Sequence, residues 1–190
     1  MKHFKTIHLI RQFILLLISL LTVNYGYAAS AQDKFDEYMV KAAFTMNFAR
    51  LTQWPEKRLK ASEEINICVM GNETLKSTFT LVNGNNINGH TARLKIISRL
   101  NMIKQCHILF ISGIKQSNMR QIFKLAQQHS ILTISELPDI RQSHAILNFV
   151  MHKHKVRFQI DPEKAQQAGL KISSRLLKLA IIKKSIANRP

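Results

Sequence analysis

His152 and His154 are the sharpest metal-binding candidates in the sequence, which reads HKH at this point. Alternate side chains of a β-strand point to the same face, so two imidazoles with this spacing could hold copper or zinc weakly. No Cys, Asp or Glu stands beside them in the sequence to complete a site. The pattern is more typical of an exposed turn, and we predict neither a metal site nor a cofactor.

The chain has two cysteines, Cys68 and Cys106, and their spacing excludes a C-x-x-C redox centre. In an exported protein an even pair favours a disulfide, which would stabilise a loop of this size by about 4 kcal/mol in the chain-entropy model. Two buried free thiols are the alternative. The residues alone leave both open.

The sequence shows no arrangement typical of catalysis. Ser174 and Lys178 are four residues apart, which is not the S-x-x-K spacing of penicillin-binding enzymes. Ser173 and Ser174 are more typical of a helix N-cap and its neighbour. There is no G-x-G-x-x-G, no phosphate loop and no evident pair of catalytic carboxylates. We therefore predict no catalytic residues and a non-enzymatic protein.

The elements that position these residues alternate between strands and helices. Four segments of strand length, EINICVMGN, ARLKIISRL, CHILFIS and SILTIS, predict strands and are separated by helical patterns. This order predicts one α/β domain with a mostly parallel sheet flanked by helices. HAILNFVMHKHKVRFQI predicts an antiparallel hairpin at one edge, and SSRLLKLAIIKK predicts a final helix. The polar carboxyl ends of the strands leave a small-ligand pocket open as an alternative.

Residues 38–55, YMVKAAFTMNFARLTQWP, predict an opening helix. The positions Val40, Phe44, Asn47-Phe48 and Leu51 recur at helical spacing, and Pro55 is expected to end the helix. The large apolar side chains occupy more than one side of this helix, so a partner or a second protomer should cover the surplus. The candidate partner or dimer surface comprises Phe44, Phe48, Trp54, Arg175 and Lys178.

Residues 1–31 have the form of a secretory signal: a basic start, an apolar run from Phe13 to Val23, and small residues that permit cleavage after Ala28 or Ala31. The apolar run is too short to span a bilayer. Removing this segment takes three of the 28 Lys and Arg and none of the 11 Asp and Glu, which leaves a charge of +14. Residues 32–190 are therefore predicted to form one soluble basic domain. Export argues against nucleic acid as a partner.

Four segments together resemble the YfiR-like family of periplasmic proteins: YMVKAAFTMNFARLTQWP, INICVMGN, CHILFIS and AGLKISSRLLKLA. The resemblance covers about residues 36–183. It implies an α/β fold, a homodimer, and repression of an inner-membrane diguanylate cyclase such as YfiN through its periplasmic sensor domain. It also implies that an outer-membrane lipoprotein can sequester the repressor. Cyclic di-GMP, and with it biofilm growth, would rise when repression is lost.

The resemblance further implies a disulfide, because Cys68 and Cys106 match a cysteine pair that is bonded in the family. A second family disulfide is absent here, since the chain has no further cysteine. Two functions remain in competition. One is a periplasmic regulator that acts by binding a protein, and the other is a periplasmic small-ligand binding module that serves a sensor or transporter.

Overall fold

The computed structural model describes Gln12 and residues 32–60, 63–114, 116–137, 144–153 and 155–182. The chain divides into two compact units, residues 1–36 and residues 37–190. In the first unit, residues 32–36 are helical and exposed. The predicted signal peptide lies, apart from Gln12, outside the described residues, so its cleavage and the boundary of the mature domain stay predictions.

The second unit contains the strands and helices that carry every candidate site. Its strands are β1 (Thr52–Gln53), β2 (Ile65–Met70), β3 (Asn86–Ile87), β4 (His90–Ile96), β5 (Ile108–Ile111), β6 (Leu132–Ser135), β7 (Leu147–His152), β8 (Lys155–Ile160), β9 (Lys171–Ile172) and β10 (Ile181–Ile182). Its α-helices are α1 (residues 37–50), α2 (Glu73–Thr78), α3 (Gln116–Gln128), α4 (Pro162–Gln167) and α5 (Ser174–Leu179), with 3-10 helices at Phe79–Val82 and Leu100–Gln105.

Eight strands form one sheet in the order β10-β8-β7-β6-β5-β2-β4-β3. Five neighbouring pairs are parallel, and β7–β8 and β3–β4 are antiparallel. The predicted α/β fold with a mostly parallel sheet is thus confirmed. Helices cover both faces of the sheet, and alternate residues of β2 therefore enter two different cores. Ile67 and Val69 pack in one core, and Cys68 and Met70 pack in the other.

The predicted hairpin is present as β7 and β8, but it does not form the edge of the sheet. The predicted final helix is shorter than its sequence pattern indicated and ends at Leu179. Ala180 is extended, and Ile181 then pairs with Gln159 of β8 in parallel register. Two consecutive β-branched residues favour a strand over a further helical turn, which accounts for the difference.

Helix α1 buries a stripe that begins at Tyr38, two positions before Val40, where the predicted periodicity begins. Tyr38, Lys41, Ala42, Thr45, Phe48 and Ala49 are buried. They follow the three- and four-residue steps of a helical face. The same period turns Val40 and Asn47 outward, so the buried face of the helix is not the one marked by the recurrence that begins at Val40. The helix also ends before Pro55, since β1 follows it directly.

A second, two-stranded sheet was not predicted. β1 pairs antiparallel with β9, with Thr52 opposite Ile172 and Gln53 opposite Lys171. The backbone N–H of Ser173 extends this pairing by donating to the carbonyl of Leu51 at 2.8 Å. The sheet joins the segment after α1 to the segment before α5, and so connects the first and last of the four segments that carried the resemblance.

Candidate functional site

The strand order reverses between β2 and β5. The chain passes from β2 to β4 on one side, and then returns to β5, β6 and β7 on the other. In open α/β sheets, ligands bind at such a reversal, outside the carboxyl ends of the strands. Gly71 and Asn72 follow β2 here, and Ser112 follows β5. A side chain at Gly71 would begin 3.0 Å from the carbonyl oxygen of Ser112, so only glycine permits this close approach.

Tyr38 of α1 reaches into this crevice and fills it. Its hydroxyl donates to Glu136 Oε1 at 2.9 Å, accepts from the Asn72 amide at 3.3 Å, and lies 3.1 Å from Ser112 Oγ. Asn72 also caps α2 by accepting from the backbone N–H of Leu75. The crevice is therefore tied together by residues that follow three strands and by one residue of α1.

Lys41, one helical turn after Tyr38, adds the positive charge of this cluster. Its ammonium group pairs with Glu37 and with Glu136, and its side chain is 4% exposed. The ammonium also lies 4.9 Å from the centre of the Tyr38 ring, within range of a cation–π attraction. We call Tyr38, Lys41, Asn72, Ser112 and Glu136 the α1 anchor.

The α1 anchor contains a serine that donates to a carboxylate, since Ser112 Oγ donates to Glu136. That carboxylate also accepts from Tyr38 and pairs with Lys41, so its oxygens are already engaged. Ser112 is 3% exposed, which keeps its hydroxyl away from solvent. The arrangement holds α1 over the carboxyl ends of the strands, and this position is where a ligand would otherwise bind.

The aromatic residues proposed for a partner surface divide between the core and its margin. Phe48 is fully buried, with its ring 4.8 Å from that of Phe158 and 5.6 Å from that of Phe149. Phe48 therefore belongs to the core and not to the predicted partner or dimer surface. Phe44 is half-buried and packs on the same two rings. The protein's own sheet covers most of the surplus apolar area that a partner was expected to cover.

Trp54 is half-buried at the opposite, amino end of the sheet. Its indole N–H donates to the carbonyl of His107 at 3.3 Å, just before β5 begins. The ring also lines a cavity of about 320 Å³ together with Leu59 and Ile87. Trp54 thus fixes the loop after β1 against the sheet and leaves one side of its ring accessible.

Arg175 and Lys178 are both exposed on α5, as a surface role requires. The side chain of Ser173 caps this helix by accepting from the backbone N–H of Arg175. A neighbouring cavity of about 280 Å³ is lined by Arg50, Lys171 and Ser173. The β1–β9 sheet therefore brings cations from both ends of the domain together. We call Arg50, Lys171, Arg175 and Lys178 the α5 surface; Lys183 and Lys184 lie outside the described residues.

Cys68 and Cys106 are joined by a disulfide, with their Cα atoms 5.6 Å apart. Cys68 lies in β2, and Cys106 stands two residues before β5, which pairs with β2. Both residues are completely buried. The parallel pairing of the two strands is what places the sulfurs within bonding distance.

His107, next to this disulfide, was not singled out from the sequence. Its Nδ1 accepts from the backbone N–H of Asn66 at 2.9 Å, so its Nε2–H donates to the carbonyl of Arg58 at 3.1 Å. Burial, and then the nearby charge of Arg58, lower the pKa of His107 to about 4. The ring is thus held in its neutral form as a bridge between two loops.

This shifted pKa predicts a dependence of stability on pH. Between the unfolded pKa of about 6.5 and the folded value of about 4, only the unfolded chain binds the proton. The contribution of neutral His107 to the free energy of unfolding is therefore fully present above pH 6.5, and it is lost as the pH falls towards 4. Because water partly screens the ring, we expect a loss of about 2 kcal/mol rather than the full amount of the shift.

Urea unfolding at pH 7, 5 and 4 measures this loss. The variant His107→Gln should lose about 2 kcal/mol less than the parent protein over this range, because glutamine keeps a donor and an acceptor but does not titrate. The control, His152→Gln, replaces an exposed histidine and should follow the parent. Parallel curves for the parent and His107→Gln would contradict the assignment.

The histidine pair considered as a metal-binding candidate lies only partly within the described residues. His152 ends β7, is exposed, and stands opposite Lys155 of β8. His154 lies outside the described residues. Within the described ranges, no three His, Cys, Asp or Glu side chains form a group that could hold a metal ion.

A family model described as YfiR/HmsC-like matches residues 38–181. The chain belongs to the YfiR/HmsC-like family. The matched range begins at Tyr38 of the α1 anchor and ends at Ile181 of β10. It therefore includes seven strands of the larger sheet and the first residue of β10, together with the disulfide and the β1–β9 sheet. The resemblance inferred from the four sequence segments is confirmed.

Other comparisons add little to this YfiR/HmsC-like assignment. No curated protein matches the chain. One similar solved structure is that of the ABC domain in complex with L-Trp from Streptococcus pneumonia, at 12% identity and a TM-score of 0.44. The alignment covers 72% of this chain and 59% of that chain.

Proposed function

We propose that this protein is a non-enzymatic periplasmic regulator that represses an inner-membrane diguanylate cyclase by binding the cyclase's periplasmic domain. The observation that carries the proposal is the YfiR/HmsC-like match over residues 38–181, because that family suggests periplasmic regulation of a diguanylate cyclase. Among the residues described, no helix combines the length and hydropathy needed to cross a bilayer.

The α5 surface is the contact that we assign to the cyclase. Arg175 and Lys178 stand beside two exposed apolar side chains, Leu179 at 69% and Ile181 at 47% exposure. Arginine next to accessible apolar area is typical of the residues that dominate protein interfaces. The cations favour an acidic patch on the partner, and they would speed its capture more than they tighten the final complex.

Repression in this scheme is a shift of population between two states of the cyclase. The regulator must bind the inactive state more tightly than the active one. Moving the cyclase from 99% active to 99% inactive requires a preference of about 10⁴-fold. A lipoprotein that covered the α5 surface would remove the regulator from this equilibrium, and a homodimer would present the surface twice. Both assemblies belong to the proposal.

The competing function, a small-ligand binding module, loses its most favourable location. The crevice at the carboxyl ends of β2 and β5 is occupied by Tyr38 and its hydrogen bonds. A ligand there would have to displace a buried tyrosine and the paired charges of Lys41. Protein binding is therefore the better supported function of the domain as a whole.

Deleting the gene is expected to raise cellular cyclic di-GMP, because the cyclase would lose its repressor. The nucleotide is measured by mass spectrometry in the parent strain, the deletion strain and the deletion strain that carries the gene on a plasmid. The plasmid should restore the parental concentration. If deletion leaves cyclic di-GMP unchanged under several growth conditions, repression of a cyclase is not the function.

A further inference from the structure

A cavity of about 200 Å³ lies between α3, α4 and the start of β6, away from both the α1 anchor and the α5 surface. Its walls are two helical stripes. On α3 the lining residues Arg120, Lys124 and Gln127 are spaced by four and three, and on α4 the lining residues Lys164 and Gln167 are three apart. Such spacings place side chains on a single face of a helix. The two faces meet across the cavity.

A hydrogen bond closes one end of this cavity. The amide of Gln127 donates to Gln167 Oε1 at 3.2 Å and so joins α3 to α4. The floor is apolar and includes Phe123, Ile131 and Ala168, which are buried. The cavity thus has an apolar base and polar walls, which is the usual construction of a small-molecule site.

The charge of the walls has one sign. Arg120, Lys124 and Lys164 line the cavity, and no Asp or Glu stands among the described lining residues. Lys164 lies 3.6 Å from Asp161, so its charge is partly offset. α3 contains no acidic residue, and its two cations, four residues apart, repel each other. A bound anion would relieve this repulsion.

We propose that this cavity binds a small organic anion. Arg120, Lys124 and Lys164 would hold its oxyanion head, a carboxylate or a phosphate, and the apolar part of the ligand would lie on Phe123 and Ile131. The site goes beyond the proposed repression, because it uses neither the α1 anchor nor the α5 surface.

The volume limits the ligand. Pockets for drug-sized molecules typically measure about 300–1,000 Å³, and this cavity is smaller. At about 30 Å³ per water molecule it has room for six or seven waters. Covalently bonded atoms lie closer together than separate waters, so a ligand of about ten non-hydrogen atoms fits. A ligand of this size that contacts a partly open site is expected to bind with a Kd between about 10 µM and a few mM.

Nuclear magnetic resonance titration of the purified full chain tests the site with three probes: benzoate, phenyl phosphate and the neutral isostere benzamide. Benzoate or phenyl phosphate should produce saturable shifts confined to α3, α4 and the start of β6. The anion with the lower Kd identifies the preferred head group. Arg120→Gln with Lys124→Gln should weaken its binding at least tenfold.

The matched control is Lys155→Gln with Arg157→Gln, which removes the same charge from exposed positions of β8. This control should bind the anion as the parent does. Three results would overturn the proposal: no saturable shift with either anion, equal binding of benzamide, or an equal loss of affinity in the control. The unchanged spectrum of each unliganded variant outside its substituted positions verifies its fold.

Discussion

Replacing Lys41 with methionine is expected to destabilise the domain by about 3 kcal/mol, the cost typical of breaking a buried ion pair. The ammonium is almost completely buried between Glu37 and Glu136, and methionine matches its shape without its charge. The substitution leaves the Glu136 carboxylate, only 15% exposed, without its cationic partner. The free energy of unfolding, measured with urea at pH 7, gives the loss.

Two controls separate this effect from the loss of an ordinary lysine. Lys76→Met breaks a surface pair with Glu73, whose side chain is 89% exposed, and should cost less than about 1 kcal/mol. The double variant Lys41→Met with Glu136→Gln also removes the charge of Glu136, so part of the lost free energy of unfolding should return. If Lys41→Met costs no more than Lys76→Met, the α1 anchor does not hold α1 to the sheet.

Breaking the disulfide by Cys68→Ser is expected to cost about 2–5 kcal/mol. The two cysteines are 38 residues apart, and closing a loop of that length accounts for about 4 kcal/mol in the chain-entropy model. The serine hydroxyl would also be buried among apolar side chains of the core below β2. Urea unfolding of oxidised protein, parent against variant, measures the cost.

The double variant Cys68→Ala with Cys106→Ala removes the bond without adding a polar group. It isolates the contribution of the cross-link, and its loss should be smaller than that of Cys68→Ser. Thiol labelling of the unreduced, denatured parent should find no reactive cysteine. Two labelled thiols per chain, or a double variant as stable as the parent, would contradict a stabilising disulfide.

The buried strands were predictable because their signal is local. The strands β2, β5 and β6 are short segments of four to six residues rich in Ile, Leu and other residues that favour strands, and their sequences alone indicate them. The pairing of β2 with β5 then made the Cys68–Cys106 bond geometrically reasonable. Two of the four family-like segments, INICVMGN and CHILFIS, contain β2 and β5.

The missed elements lack such a signal. β1, β9 and β10 have two residues each, so no alternation of apolar and polar residues exists to read. Ile181 and Ile182 also continue the apolar pattern of α5, and only the free edge of β8 determines that they form a strand. Secondary structure this short is specified by tertiary contacts.

The α1 anchor depends on contacts far apart in sequence, since Tyr38 and Glu136 are separated by 98 residues. One signal could have indicated it. Lys41 stands three residues after Tyr38 on a stripe that is otherwise apolar or hydroxylated, and a lysine on a buried face must be paired. The number of large apolar side chains in α1 favours a surface position for Phe48. Instead, the rings of Phe149 in β7 and Phe158 in β8 accommodate it in the core.

Cyclic di-GMP in complemented deletion strains tests the central claim most directly. One plasmid carries Arg175→Glu with Lys178→Glu, which reverses two of the four charges of the α5 surface. The other carries Lys155→Glu with Arg157→Glu, an equal charge reversal on β8. Immunoblots of periplasmic extracts establish equal amounts of the two proteins. The account predicts that the β8 variant restores the parental cyclic di-GMP concentration and that the α5 variant leaves it raised. Restoration by both variants, or no rise on deletion, would contradict it.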